Sequence, residues 1–87
     1  MATVFIPTMM ARYAPGVTRI EVAGGTVAEI VAALEARFPG IEQAIIEDDR
    51  LVPGLAVAID GEVSPAGLRE RVGPRSEVHF LPAIAGG

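Results

Sequence analysis

The residues best suited to chemistry in this sequence are its last six, Pro82-Ala83-Ile84-Ala85-Gly86-Gly87. They carry no charged side chain and close on two glycines, so the reactive group expected there is the α-carboxylate of Gly87. With an ordinary pKa of about 3.5, such a group is ionised and nucleophilic at neutral pH. The chemistry open to it is attack on the α-phosphate of ATP to give an acyl-adenylate, followed by displacement with a sulfur nucleophile. A partner would have to supply the ATP, the Mg²⁺ and the electrostatic stabilisation, since the chain itself offers no cofactor site. Glycines suit the task because no Cβ crowds the attacked carbonyl and backbone alone can enter a narrow channel. Extended at about 3.3–3.6 Å per residue, six residues span about 20 Å, enough to enter another protein's active site. Residues 82–87 are therefore expected to form a flexible tail on a domain of residues 1–81.

Other chemistries are poorly provided for. The 87 residues contain no cysteine, which removes disulfides, thiolate metal sites and a thiol nucleophile. His79 is the sole histidine, and no nucleophile lies near it in sequence. Glu47-Asp48-Asp49-Arg50 lacks the alternating oxygen ligands and the glycine of a calcium loop, and reads as a solvated turn. All seven basic residues are arginines, lysine is absent, and the formal charge is −4. No phosphate-neutralising basic face is expected, so the partner is not nucleic acid but a protein with a basic surface. Arg69, Arg71 and Arg75 cluster before the last strand as candidates for pairing with partner acids. The hydrophobic share of 51% rules out a disordered tail, yet no apolar run approaches the roughly 18 residues of a membrane span. The opening Met1-Ala2-Thr3-Val4-Phe5 has no signal-peptide character, so a cytoplasmic location is expected.

The elements that must position the tail are legible from periodicity. Ala2 to Thr8 is branched and aromatic, and Val17 to Val22 alternates Ile20 and Val22 with Arg19 and Glu21; the two read as a hairpin. Thr26-Val27-Ala28-Glu29 has capping-box spacing, in which the Thr26 hydroxyl accepts the Glu29 amide and Glu29 reaches back to the Thr26 amide. Val27, Ile30, Val31, Leu34 and Phe38 then trace one helix face, stopped by Pro39-Gly40. A short helix is expected over Ile41–Ile46. Leu55–Ile59 is a strand, Asp60-Gly61 a hairpin turn and Glu62-Val63 its return. Ser64 to Val72 reads as a loop with a single helical turn. Glu77–Leu81 is the last strand, with Pro82 stopping its ladder for want of an amide donor. The order β-β-α-β-β-β predicts an α+β domain, a mixed sheet of about five strands with one main helix packed across it. With the first and last strands central, Val4, Ile6, Val78 and Phe80 face the helix. Phe5, His79 and Leu81 then face away, forming a candidate partner-binding surface on the open side of the sheet.

With that element order in front of it, the stretch Val78-His79-Phe80-Leu81-Pro82-Ala83-Ile84-Ala85-Gly86-Gly87 resembles the ubiquitin-like β-grasp sulfur carriers, the MoaD/ThiS/CysO group. The resemblance extends over nearly the whole chain. Ile6-Pro7-Thr8, Leu34-Glu35-Ala36, Phe38-Pro39-Gly40-Ile41 and Leu81-Pro82-Ala83 resemble the CysO-like branch most. Arg12-Tyr13-Ala14-Pro15 departs from the MoaD-like first loop, and ThiS-like chains tend to be shorter and to lack the Leu-Pro before the tail. The resemblance implies a MoeB/ThiF-type adenylating enzyme as partner and a thiocarboxylate on Gly87 as the working form. It also implies a sulfur-accepting enzyme, cysteine synthase-like in the CysO branch. The chain is then a cosubstrate and not an enzyme. The alternatives it leaves are a MoaD-like small subunit of molybdopterin synthase and a ubiquitin-like protein modifier.

Overall fold

Branched side chains in the opening residues produce the expected hairpin, with shorter arms. The structure is a computed structural model and describes residues 1–83. Strand β1 spans Ala2–Phe5 and pairs antiparallel with β2, Arg19–Val22, with Val4 opposite Ile20. Between them Thr8–Tyr13 winds into a 3-10 turn that buries Met10 completely. The sequence reading takes the segment Ala2 to Thr8 as a strand stopped at Pro7, whereas the strand ends at Phe5. Pro7 precedes the turn in extended backbone, where its fixed φ is suited to redirecting the chain.

Helix α1, Val27–Arg37, buries Val27, Ile30, Val31 and Leu34, and Phe38 caps its C-terminus while half-buried against the same core. Each fully buried aliphatic side chain stabilises by about 1.5–3 kcal/mol, whereas an N-cap contributes about 1 kcal/mol. Packing of this face therefore dominates, and the cap sets where the helix begins. Thr26 Oγ1 accepts the Glu29 amide at 3.2 Å as predicted, but Glu29 Oε1 accepts the amide of Gly25, at 2.8 Å, and not that of Thr26. The chain here is pinned to a second segment, with Val27 N donating to Glu70 O and Val72 N to Gly25 O, both at 3.0 Å.

Past α1, Glu35 has a role its place in the helix pattern does not suggest. Its carboxylate accepts the Gly40 amide at 2.8 Å and the Glu42 amide at 2.9 Å, capping the 3-10 turn Ile41–Ala44. Gly40 makes this possible: its φ is +101°, and a Cβ there would sit 3.3 Å from the Tyr13 ring. The two amides hold the Glu35 carboxyl below its ordinary value of 4.5. A lowered folded-state pKa gives stability that is complete above the ordinary value and lost as pH falls through the lowered one. Glu35→Gln should therefore melt below wild type at neutral pH, with the gap closing as the pH is taken down into the acid range. A gap independent of pH in thermal melts would show that the charge is not what stabilises the turn.

Strand β3, Ile46–Glu47, and β4, Arg50–Leu51, form a small hairpin where the sequence suggests only a charged loop. Asp48 and Asp49 both have positive φ, 53° and 60°, the two-residue hairpin geometry that aspartate tolerates better than most residues. The short helix expected over Ile41–Ile46 is accordingly cut to Ile41–Ala44. Strand β5, Leu55–Ile59, turns at Asp60-Gly61 into β6, Glu62–Val63. The single helical turn after it is Gly67–Arg69.

Strand β7, Glu77–Pro82, lies at the centre of the sheet, whose order is β2-β1-β7-β5-β6. It runs parallel to β1, with Phe5 opposite His79, and antiparallel to β5, with Leu81 opposite Ala56. Of the expected inward set, Val4, Val78 and Phe80 are buried between this sheet and α1 and Ile6 is half-buried; Val57 is buried with them. The strand continues one residue beyond the end expected at Leu81. Pro82 pairs with Leu55, and Ala83 N donates to Gly54 O at 2.7 Å. Proline lacks a donor but is at home in extended backbone, so it removes one bond without ending the strand.

Candidate docking face and tail root

Because side chains alternate across a strand, the residues between the buried ones form the opposite face of the sheet. On β1 and β7 these are Thr3, Phe5, Glu77, His79 and Leu81; Phe5, His79 and Leu81, expected on this side, are half-buried. Parallel pairing brings Phe5 and His79 side by side, and their rings stack at 4.2 Å between centroids, 7° from parallel. Such a pair contributes about 0.5–1.5 kcal/mol beyond its buried area and holds the two rings face to face. Glu77 Oε1 lies 3.6 Å from His79 Nε2 on the same face; both side chains are well exposed, so this pair contributes little.

The strip is wider than those three residues. Ala56 lies opposite Leu81, Ala58 opposite His79, and Val63 opposite Ala58, so apolar groups continue across β5 onto β6. Val63 is 61% exposed, one of three large apolar side chains left open to solvent among the described residues. The signal for Ala56 and Ala58 was present in the alternation of Leu55-Ala56-Val57-Ala58-Ile59. That for Val63 was not, because a two-residue strand has no period to read. The alanines keep the strip low and flat, a shape suited to a partner surface and not to a small molecule.

The strip adjoins the tail root. Leu81 belongs to it, and Pro82 and Ala83 follow directly, both exposed. Ile84, Ala85, Gly86 and Gly87, the expected reactive end, lie outside the described residues. His79 stands in the strip between the Phe5 ring and the Glu77 carboxylate. Arg69, Arg71 and Arg75 are exposed and in no ion pair among the described residues. Tyr13 packs against the core and Gly40, which assigns it to the fold. Among the described residues there is no group of three His, Cys, Asp or Glu able to hold a metal, and no helix is long and apolar enough to cross a membrane. Two shallow depressions lie around Asp49, Arg50, Leu68 and Arg69, lined by no residue of the strip or of the described tail root.

Comparison with known proteins agrees with this geometry. The family model described as "ThiS family" matches residues 10–87. A chain in the crystal structure of an Amycolatopsis orientalis BexX/CysO complex is 31% identical over the whole of both chains, with a TM-score of 0.90. Mycobacterium tuberculosis CysO is 24% identical, covering 97% of this chain and 100% of its own, at a TM-score of 0.86. SAMP1 from Haloferax volcanii is 26% identical, covering 99% and 98%, at 0.71. No curated protein matches the chain. The fold is thus that of the β-grasp, ubiquitin-like proteins.

Proposed function

The chain belongs to the ThiS family, and from that premise we propose that it is a sulfur carrier whose working group is the carboxylate of Gly87. In the proposed cycle a MoeB/ThiF-type enzyme docks on the Phe5–His79–Leu81 strip and receives Pro82, Ala83, Ile84, Ala85, Gly86 and Gly87 in its active site. The Gly87 carboxylate attacks the α-phosphorus of ATP, with Mg²⁺ held by that enzyme, and pyrophosphate leaves. Hydrosulfide or an equivalent sulfur donor attacks the acyl carbon, AMP leaves, and the terminus becomes a thiocarboxylate. An accepting enzyme then takes the sulfur; a cysteine synthase-like acceptor fits the CysO-like character of the chain. In every step the chain is a cosubstrate. The observation that carries the reading is the family match running through Gly87, alongside 31% identity over full length to a chain of the BexX/CysO complex.

A second reading, a protein modifier joined to target amines, is favoured by the likeness to SAMP1 of Haloferax volcanii, a small archaeal modifier protein. The carrier reading ranks first because both CysO matches superpose more closely than SAMP1, and the chain of the BexX/CysO complex is also more identical. Absence of lysine bears on both: an activated terminus finds no ε-amine on another copy of this chain.

The test is intact mass spectrometry. With a cognate adenylating enzyme, ATP and a sulfide source, the protein should gain the mass of one oxygen-to-sulfur exchange, located at Gly87 by fragmentation. An unchanged mass with enzymes that load other carriers would overturn the carrier reading. Adducts on target lysines without a thiocarboxylate would favour the modifier.

A further inference from the structure

The sheet has an open edge at β2, where no other strand of the described residues pairs. The hydrogen-bond phase of that strand follows from its partner: Ile6 N donates to Thr18 O at 2.8 Å, and Val4 lies opposite Ile20. In an antiparallel ladder alternate residues turn their backbone groups to opposite sides. Thr18, Ile20 and Val22 thus face β1, and Arg19 and Glu21 direct their N–H and C=O groups outward. No hydrogen bond from another element reaches those four groups among the described residues. The Arg19 and Glu21 side chains are exposed on the open face, and Ile20 between them is half-buried at the rim of the core.

We propose that this edge is a homotypic interaction surface, taking the β2 strand of a second copy of this chain antiparallel, with Ile20 facing Ile20. Charge complementarity selects the occupant. Reversing Arg19-Ile20-Glu21 against itself places Arg19 of each copy opposite Glu21 of the other, giving two opposite-charge pairs across the seam. The same two pairs exchange four backbone hydrogen bonds, because Arg19 and Glu21 are the residues whose groups point outward. A shift of one residue sets Ile20 against Glu21 and mixes the two faces, and a shift of two sets Glu21 against Glu21 or Arg19 against Arg19. Only one register meets both the charge and the hydrogen-bond phase. The two Ile20 side chains meet on the helix side and cover what each leaves exposed. A two-fold axis normal to the sheet leaves both open faces on one side, and β1 separates the seam from β7 and its tail root, so pairing and docking do not compete.

Four residues per copy make a small seam, so the dimer is weak, with a dissociation constant on the order of 10⁻⁴–10⁻³ M. Sedimentation equilibrium and concentration-dependent amide shifts of Arg19 and Glu21 will detect it. R19E and E21R should each raise the dissociation constant about tenfold or more, because each replaces attraction by repulsion at both pairs. Mixing the two variants should restore association, now between unlike chains, and R19E/E21R together should dimerise like wild type. Unchanged circular dichroism checks that each variant is folded. A wild-type chain that stays monomeric to about 2 mM overturns the proposal. So do single variants that associate as well as wild type, or a mixture that fails to pair.

Discussion

A chain lacking Gly87 should gain no sulfur in the mass assay while melting at the temperature of the full-length chain. The first half follows from where the proposed chemistry sits. Without Gly87 the carboxylate belongs to Gly86, one residue short of the position the activating enzyme presents to ATP. A misplacement on the scale of ångströms costs about 100-fold in a near-attack geometry, and a full residue moves the group by about 3.3–3.6 Å. Loading should drop below detection. The second half follows from where stability sits: among the described residues the buried cluster ends at Phe80, and the last backbone bond from the sheet into the tail is that of Ala83 to Gly54. Differential scanning calorimetry beside the mass assay separates the two. Loading at the wild-type rate without Gly87 would remove the carboxylate from the mechanism, and a large fall in melting temperature would mean the tail belongs to the fold.

The next largest effect should come from the strip on the open face. Replacing Phe5 and Leu81 together by Ala should weaken docking to the activating enzyme about 100-fold. Each truncation removes a large apolar group worth about 1.5–3 kcal/mol if the partner buries it fully, and aromatic anchors of this kind dominate interface energies. The measurement is the KM for this protein in the adenylation reaction, with ATP saturating. A rise in KM at nearly constant kcat is expected, since the tail that carries the reacting group is untouched. Part of the Phe5 effect acts through His79, whose ring is stacked on it. Phe5→Ala alone should therefore weaken docking more than His79→Ala does. Unchanged KM in the folded double variant would place the docking surface elsewhere.

Much of this protein was legible in sequence because its determinants are local. The helix face of Val27, Ile30, Val31 and Leu34 and the cap at Thr26 need only neighbours a turn away, and each formed as read. The alternation in β5 and β7 and the Asp60-Gly61 turn are likewise short-range. The diglycine end and its chemistry come from residue type alone. What sequence left open was set by contacts between distant residues or by elements too short to have a period. The β3–β4 hairpin has two residues in each arm, and its Asp48-Asp49 turn looks the same as a solvated loop until both residues adopt positive φ. Glu35 falls on the polar side of its helix, and only the return of the chain at Gly40 and Glu42 gives its carboxylate two amides to accept.

Non-local pairing also built the strip proposed for docking. Phe5, Ala58, Val63 and His79, four of its members, lie in four separate strands and become neighbours only through one register. The sequence alone determined the composition, an acidic, lysine-free and cysteine-free chain ending in two glycines, from which the proposed chemistry at a backbone terminus is read. The tertiary structure decided its delivery, because only the parallel pairing of β1 with β7 places the stacked Phe5–His79 pair, Leu81 and the tail root on one continuous surface. Side-chain types and short-range periodicity are properties of neighbouring residues, whereas a surface is a property of the register that joins strands more than seventy residues apart.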